Sequence, residues 1–240
     1  MFRCDPARLG LDRITLDGPE GRHATTVRRI APGERVDLTD GSGHIAECVV
    51  IAARPGALEL SVLSHRTEPE PSLRVVVVQA IIKGDRGELA VELMTEVGVD
   101  EIVPWSAERS VARWRPDREE KSLGRWRSTA VAAAKQSRRG RFPVVSGQQA
   151  LAGVLPRVSA AELAVTLDPA APVPIGRLSV PAAGEVVLVV GPEGGISPAE
   201  AAGLASAGAV AARLGPSVLR GSTAAAVAAA VLLSGSDRWA

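Results

Sequence analysis

Two stretches of the 240-residue chain, residues 73–82 and 185–190, are built largely from unbroken runs of apolar side chains. A strand with one wet face alternates apolar and polar residues. An unbroken apolar run of strand length therefore calls for cover on both faces, as in a parallel sheet flanked by helices. Shorter runs at 102–103, 163–167 and 210–214 are further candidate strands, and helical patterns lie between them. Within residues 88–97, Leu89, Leu93, Met94 and Val97 share one helical face, and Gly98 follows as a C-terminal cap. Ser197-Pro198-Ala199-Glu200 is a capping box with proline at the first helical position, and Gly208 marks the end of that helix. Alternation of this kind predicts an α/β domain over residues 71–240.

The first 65 or so residues have a different texture. Residues 35–39 alternate, Asp40-Gly41-Ser42-Gly43 is a turn, residues 44–51 resume as a strand, and 57–63 alternate again after Pro55-Gly56. Short strands joined by tight turns predict a small β-barrel over residues 1–70. Thr67-Glu68-Pro69-Glu70-Pro71 reads as a stiff linker.

With four Trp, two Phe and no Tyr, the cores must come from Ala, Val, Leu and Ile. The same scarcity argues against RNA binding through an aromatic stacking platform. Cys4 and Cys48, in a chain whose start does not resemble a secretion signal, are expected to be free thiols in a reducing cytoplasm. The apolar run 224–233 is too short to span a bilayer, and His23, His44 and His65 are too dispersed for a local metal motif, so neither membrane nor metal is expected. Net charge is +1, but 11 basic residues lie between Arg109 and Arg141 against Asp117, Glu119 and Glu120. Such a stretch is either a solvated helix face or a surface facing a polyanion.

Gly191-Pro192-Glu193-Gly194-Gly195-Ile196-Ser197 joins the most apolar strand to the capped helix. Open α/β sheets bind ligands at the carboxyl ends of their strands, and glycines there let a ligand approach the backbone. The segment is neither a Walker loop nor a GxGxxG turn. Ile81-Ile82-Lys83-Gly84-Asp85-Arg86, after the first apolar strand, also lacks Rossmann glycines. That counts against a nicotinamide enzyme and a Rossmann-type methyltransferase. Some twenty residues on, Arg213-Leu214-Gly215-Pro216-Ser217-Val218-Leu219-Arg220-Gly221-Ser222-Thr223 is again strand, loop and helix. Ser222 or Thr223 is a candidate cap, and Arg220 sits beside amide donors that themselves favour an anion. Two glycine-bearing loops at the same end of adjacent strands predict one shared pocket.

These two loops resemble the cofactor loops of the SPOUT methyltransferases, and most closely those of the RsmE family, which methylates N3 of a uridine in 16S ribosomal RNA. The resemblance extends over nearly the whole chain. His23-Ala24-Thr25-Thr26-Val27-Arg28-Arg29 followed by Pro32-Gly33-Glu34 resembles the family's PUA-like RNA-binding domain. Lys83-Gly84-Asp85-Arg86, Thr95-Glu96-Val97-Gly98-Val99, Ile102-Val103-Pro104, Glu108-Arg109-Ser110 and Lys135-Gln136-Ser137 with Arg138, Arg139 and Pro143 match in order. There are two departures: Glu92 and Leu93 stand where many members carry Lys, and Ser222 stands where many carry Glu. Ser222 then reads as a helix cap.

The resemblance implies S-adenosyl-L-methionine as methyl donor, in a pocket lined by Leu167, Gly191, Gly195, Leu214, Gly215 and Leu219. It implies a C-terminal trefoil knot, a homodimer and the small ribosomal subunit as partner. Arg220 is the first candidate to stabilise a uracil anion; Glu193 is either a base or a shaper of its loop. His23, Arg28, Arg29, Arg109, Arg138 and Arg139 are the candidate RNA contacts, although solubility alone would account for the first three. Two other readings stay open, namely the same fold acting on another RNA and a non-catalytic ribosome assembly factor.

Overall fold

The computed structural model describes residues 1–239, which divide into two compact units. The first comprises Met1–Glu70 with Ala134–Phe142; the second comprises Pro71–Ala133 and the chain from Pro143 onward. Among the described residues no helix is long and apolar enough to cross a membrane.

The N-terminal unit contains β1 (Phe2–Arg3), α1 (Pro6–Leu9), β2 (Arg13–Leu16), α2 (Gly18–Arg22), β3 (Arg35–Thr39), β4 (His44–Arg54) and β5 (Ala57–Thr67). They form a five-stranded sheet in the order β1-β3-β4-β5-β2, antiparallel except for the β1–β3 pair. Two register shifts in the β4–β5 ladder, at Glu47/Cys48 and Val50/Ala52, add the bend and twist that curl the sheet. Its core gathers Phe2, Ile14, Leu16, Leu38, Leu58 and Leu60 with both cysteines. Cys4 and Cys48 are free and buried, and burial pushes the Cys48 thiol up to about 11. After α2 the chain makes a single π-helical turn, His23–Val27. The Thr25 hydroxyl pins it, donating to the Gly21 carbonyl at 2.9 Å and accepting from the Gly56 amide at 3.1 Å.

The stretch read as a stiff linker is tied down where it begins. Thr67 belongs to β5, and the Glu68 carboxylate accepts from the Gly140 amide at 2.9 Å while its carbonyl accepts from Arg141 Nε at 2.9 Å. Thr39 Oγ1 donates to the Gly140 carbonyl at 2.9 Å, and Lys135 Nζ pairs with Glu20 at 2.6 Å. A Cβ at Gly140 would lie 2.5 Å from Ile45 Cδ1, so glycine permits this docking. Residues 134–142 thus pack with groups 72 to 115 positions earlier in the chain.

The second unit holds β6 (Leu73–Ala80), α3 (Arg86–Glu96), β7 (Glu101–Trp105), most of α4 (Glu119–Gln136), β8 (Val144–Val145), α5 (Leu151–Ala160), β9 (Leu163–Leu167), β10 (Val173–Pro174), β11 (Gly184–Val190), α6 (Pro198–Ser206), β12 (Val210–Arg213) and α7 (Gly221–Leu233). The seven strands are all parallel, in the order β10-β12-β9-β11-β6-β7-β8. The two apolar runs are its central neighbours, with Val75 opposite Val186 and Val77 opposite Leu188. Val75 and Val77 pack in one core with Ala90, Val91 and Met94 of α3 and Ala225 and Leu232 of α7. Val76 and Val78 pack in the other with Val154 and Val158 of α5 and Leu204 of α6. Cover on both faces explains why neither strand alternates.

Two local expectations are corrected. Of the expected face of α3, Met94 is buried and Val97 packs against the same core, but Leu89 is 42% exposed, and Gly87, Ala90, Val91 and Thr95 are buried as well. Gly87 meets the Trp126 indole, where a Cβ would sit 3.0 Å from Nε1, so a side chain at that turn of the helix would press on the ring. Ser222 is not a cap. The N-cap of α7 is Arg220, in extended conformation, and Ser222 is buried inside the first turn.

Candidate active site

Three adjacent strands, β12, β9 and β11, end together at the carboxyl edge of the parallel sheet. The loop after β11 needs its three glycines for separate reasons. A Cβ at Gly191 would lie 2.6 Å from Ile196 Cγ1, one at Gly194 would lie 2.8 Å from the Arg109 carbonyl oxygen, and Gly195 has φ +75°. The loop then locks onto α6. Ser197 Oγ accepts from the Glu200 amide at 3.3 Å, and Glu200 Oε2 accepts from the Ser197 amide at 2.9 Å. Glu200, only 5% exposed, also uses Oε1 to accept from the Glu108 amide at 2.7 Å. One buried carboxylate therefore fastens the glycine loop to residues 108–109.

The neighbouring loops are held in the same way. After β9, the Asp168 amide donates to Ala212 of β12 at 3.0 Å, and Asp168 Oδ1 accepts from the Ala170 amide at 2.8 Å. Arg213 Nη1 donates to the Ala171 carbonyl at 2.7 Å and also to Pro172. The Arg220 carbonyl accepts from the Thr223 and Ala224 amides, each at 2.9 Å, which fixes its backbone at the start of α7.

Between these loops lies a cavity of about 630 Å³, a size suited to a nucleoside-scale ligand. Leu167, Gly191, Gly195, Leu214, Gly215 and Leu219 all line it, and so do Arg220 and Glu193. The candidate RNA contacts lie elsewhere. His23, Arg28, Arg29, Arg138 and Arg139 belong to the N-terminal unit; Arg109 belongs to the second, its carbonyl beneath Gly194. Arg29 and Arg138 hold φ of 53° and 59°, a left-handed conformation that costs an arginine about 1–2 kcal/mol.

The cavity also contains groups outside the expected set: Arg86, Asp168 and Thr166. Arg86 opens α3 just beyond β6, and β6 is the immediate neighbour of β11, so strand order brings this early loop to the site. Its segment is visible in the sequence, but its place in the pocket depends on which strands are adjacent. Thr166 is 7% exposed, and its hydroxyl has no hydrogen-bond partner among the described residues. A buried unpaired hydroxyl beside an open cavity marks a place for a ligand atom.

Residues 68–233 match the family described as RNA methyltransferase domain, and residues 16–63 match the RNA methyltransferase PUA domain. A ribosomal RNA small subunit methyltransferase E from Mycobacterium tuberculosis is 47% identical over 228 residues, covering 93% of this chain and 87% of that one. The chain belongs to the ribosomal RNA small subunit methyltransferase E family. Its members include a Bacillus subtilis protein that is 27% identical over 219 residues, covering 88% of this chain and 86% of the relative. Among solved structures, the Neisseria gonorrhoeae methyltransferase E bound to S-adenosyl methionine superposes with TM-score 0.82 at 28% identity, over 92% of this chain and 91% of that one. A Legionella pneumophila methyltransferase in complex with its cofactor SAM gives 0.85 at 26% identity, over 98% and 96%. Family membership makes the chain a methyltransferase, built as expected from a parallel-sheet catalytic domain preceded by a PUA-like β domain.

Proposed function

We propose that this protein transfers a methyl group from S-adenosyl-L-methionine to N3 of a uridine in 16S ribosomal RNA, with the small ribosomal subunit as its partner. What carries the reading is the convergence of both glycine loops, Arg220 and Glu193 on a single cavity in a chain of this family. The residues suit the donor. Leu167, Ile196 and Leu219 provide apolar wall for the adenosyl group, and Asp168 and Glu193 provide negative charge for a cationic ligand. When bound, the donor supplies a methyl group activated by its sulfonium leaving group. The chain has mainly to position it and the acceptor, so proximity and orientation account for most of the acceleration.

Uracil N3 must lose a proton before it attacks, and the negative charge spreads over O2 and O4. The Arg220 guanidinium, without an ion pair among the described residues, stabilises that charge as an oxyanion site does. Glu193 accepts the N3 proton. The target base is unpaired or extruded, because pairing would occupy N3. His23, Arg28, Arg29, Arg138 and Arg139 contact RNA from the N-terminal unit, and Arg109 does so from the second. The reading includes a cytoplasmic homodimer and a C-terminal trefoil knot.

The test is methyl transfer from labelled S-adenosyl-L-methionine to unmodified small ribosomal subunits, followed by nucleoside mass spectrometry. 3-Methyluridine is expected. A different methylated nucleoside would overturn the substrate, and failure to bind the donor with or without RNA would favour an assembly factor.

A further inference from the structure

β9 is apolar at every position except Thr166. Successive side chains of a strand point to opposite faces, and Val165 packs in the core under α3 and α7 while Ala164 packs in the core under α5 and α6. Thr166 therefore shares the α6 face with Ala164. Its partners across the sheet are Val189 of β11 and Ala211 of β12, neither of which offers a side-chain hydrogen-bonding group. The side chain is more than nine-tenths buried and its hydroxyl is unsatisfied, a cost that valine, the commonest residue in this sheet, would not carry. The same cavity is lined by Ala201 and Ala205 of α6, by Ile196 and Ala209 on either side of that helix, and by Ala211, the cross-strand partner of Thr166. The alanines present little bulk and no charge. Charged lining groups come from elsewhere, with Asp168, Glu193 and Arg220 on the loops beyond the strand ends and Arg86 at the start of α3.

We infer that Thr166 hydrogen-bonds the adenosyl half of the methyl donor, which lies along the alanine-lined wall beside α6, and that it thereby selects for that half. The inference rests on the methyl-donor reading above. A flat heteroaromatic nucleoside fits a shallow apolar wall with a single polar contact, and its ring nitrogens and ribose oxygens supply the partner that the hydroxyl lacks. The zwitterionic amino-acid half needs charged partners, and the loops carry those. Thr166 is thus a binding residue that acts on donor affinity.

The experiment measures binding by calorimetry to wild type, Thr166→Val, Thr166→Ala and Thr166→Ser, with S-adenosylhomocysteine and 5′-methylthioadenosine as separate ligands. The valine and alanine variants should bind both ligands about five- to tenfold more weakly, the scale of one neutral hydrogen bond, and the serine variant should stay within about twofold of wild type. The ligand-free valine variant should melt no lower than wild type, because it removes an unsatisfied hydroxyl. Valine binding within about twofold of wild type for both ligands overturns the inference. So does a loss seen with S-adenosylhomocysteine alone, which would move the contact to the amino-acid half. Wild-type protein that binds neither ligand overturns the donor reading itself, and this inference with it.

Discussion

Arg220 illustrates how one residue serves backbone and site at once. Its carbonyl starts α7 by accepting two amides, and the residue also lines the cavity. Removing the side chain leaves the cap in place. Arg220→Ala should therefore keep donor affinity within about threefold and lose on the order of 10²- to 10³-fold in turnover, the scale of one preorganised charge-stabilising donor. Single-turnover kinetics beside calorimetry measures both, and near-normal turnover would remove Arg220 from the reaction. Glycines divide by mechanism at the same scale. Gly195→Ala meets open space but holds φ +75°, so its cost is conformational, about 1–2 kcal/mol. Gly194→Ala meets a carbonyl oxygen at 2.8 Å and must move the loop. Gly194→Ala should weaken donor binding more than Gly195→Ala, and the reverse order would refute this division. The glycines are plain in the sequence; which of them face a carbonyl is not.

At the scale of elements, α6 was legible because its start is local chemistry. Ser197, Pro198 and Glu200 sit within four residues, and the capping box forms as spaced. The second use of Glu200, on the Glu108 amide, joins residues 92 positions apart and leaves no sequence pattern. Glu200→Ala should cost about 0.5–2 kcal/mol for the cap and more for the buried amide left unpaired. Urea denaturation should show a lower midpoint with unchanged slope, and the freed loop should bind donor more weakly. A stability within a few tenths of a kcal/mol of wild type would contradict this. α3 differs from its periodicity at one end: Met94 and Val97 meet the core as their spacing predicts, whereas Leu89 is exposed and Gly87 faces the Trp126 indole.

At the scale of the whole molecule, charge is organised by distant pairings. Arg157 joins Glu101 at 2.8 Å and Glu185 at 2.8 Å, linking α5 to the starts of β7 and β11. Burial disfavours the Glu101 carboxylate, but hydrogen bonds from Arg157 and Ser146 outweigh it and hold its pKa below the ordinary glutamate value. A depressed folded-state pKa contributes stability above the unfolded value, and that stability is lost as pH falls through the folded value. Wild type should therefore lose stability below about pH 4.5 more steeply than Glu101→Gln, as urea midpoints at pH 7, 4 and 3 would show; parallel curves would exclude Glu101 as the cause. Arg28 and Arg138, from segments 110 positions apart, belong to the same N-terminal unit. If each meets a phosphate, Arg28→Ala and Arg138→Ala should each lower the salt slope of RNA binding by about one. Unchanged slopes would return both to the role of solubilising charge.

Much of the larger domain was legible from residues alone, because its determinants are local or periodic: unbroken apolar runs, a capping box and two glycine loops at strand ends. The family resemblance that those loops carry implied Leu167, Gly191, Gly195, Leu214, Gly215 and Leu219 as pocket residues, and the fold gathers them with Glu193 and Arg220 around one cavity. Strand order was decided only in three dimensions. Seven parallel strands can be arranged in many ways that bury the same side chains, so local pattern cannot say that β6 adjoins β11 or that Arg86 reaches the pocket. The docking of residues 134–142 on the N-terminal sheet, the buried hydroxyl of Thr166 and the double role of Glu200 have the same origin. Each is a contact between groups remote in the chain, and its energy depends on a proximity that only the folded backbone supplies.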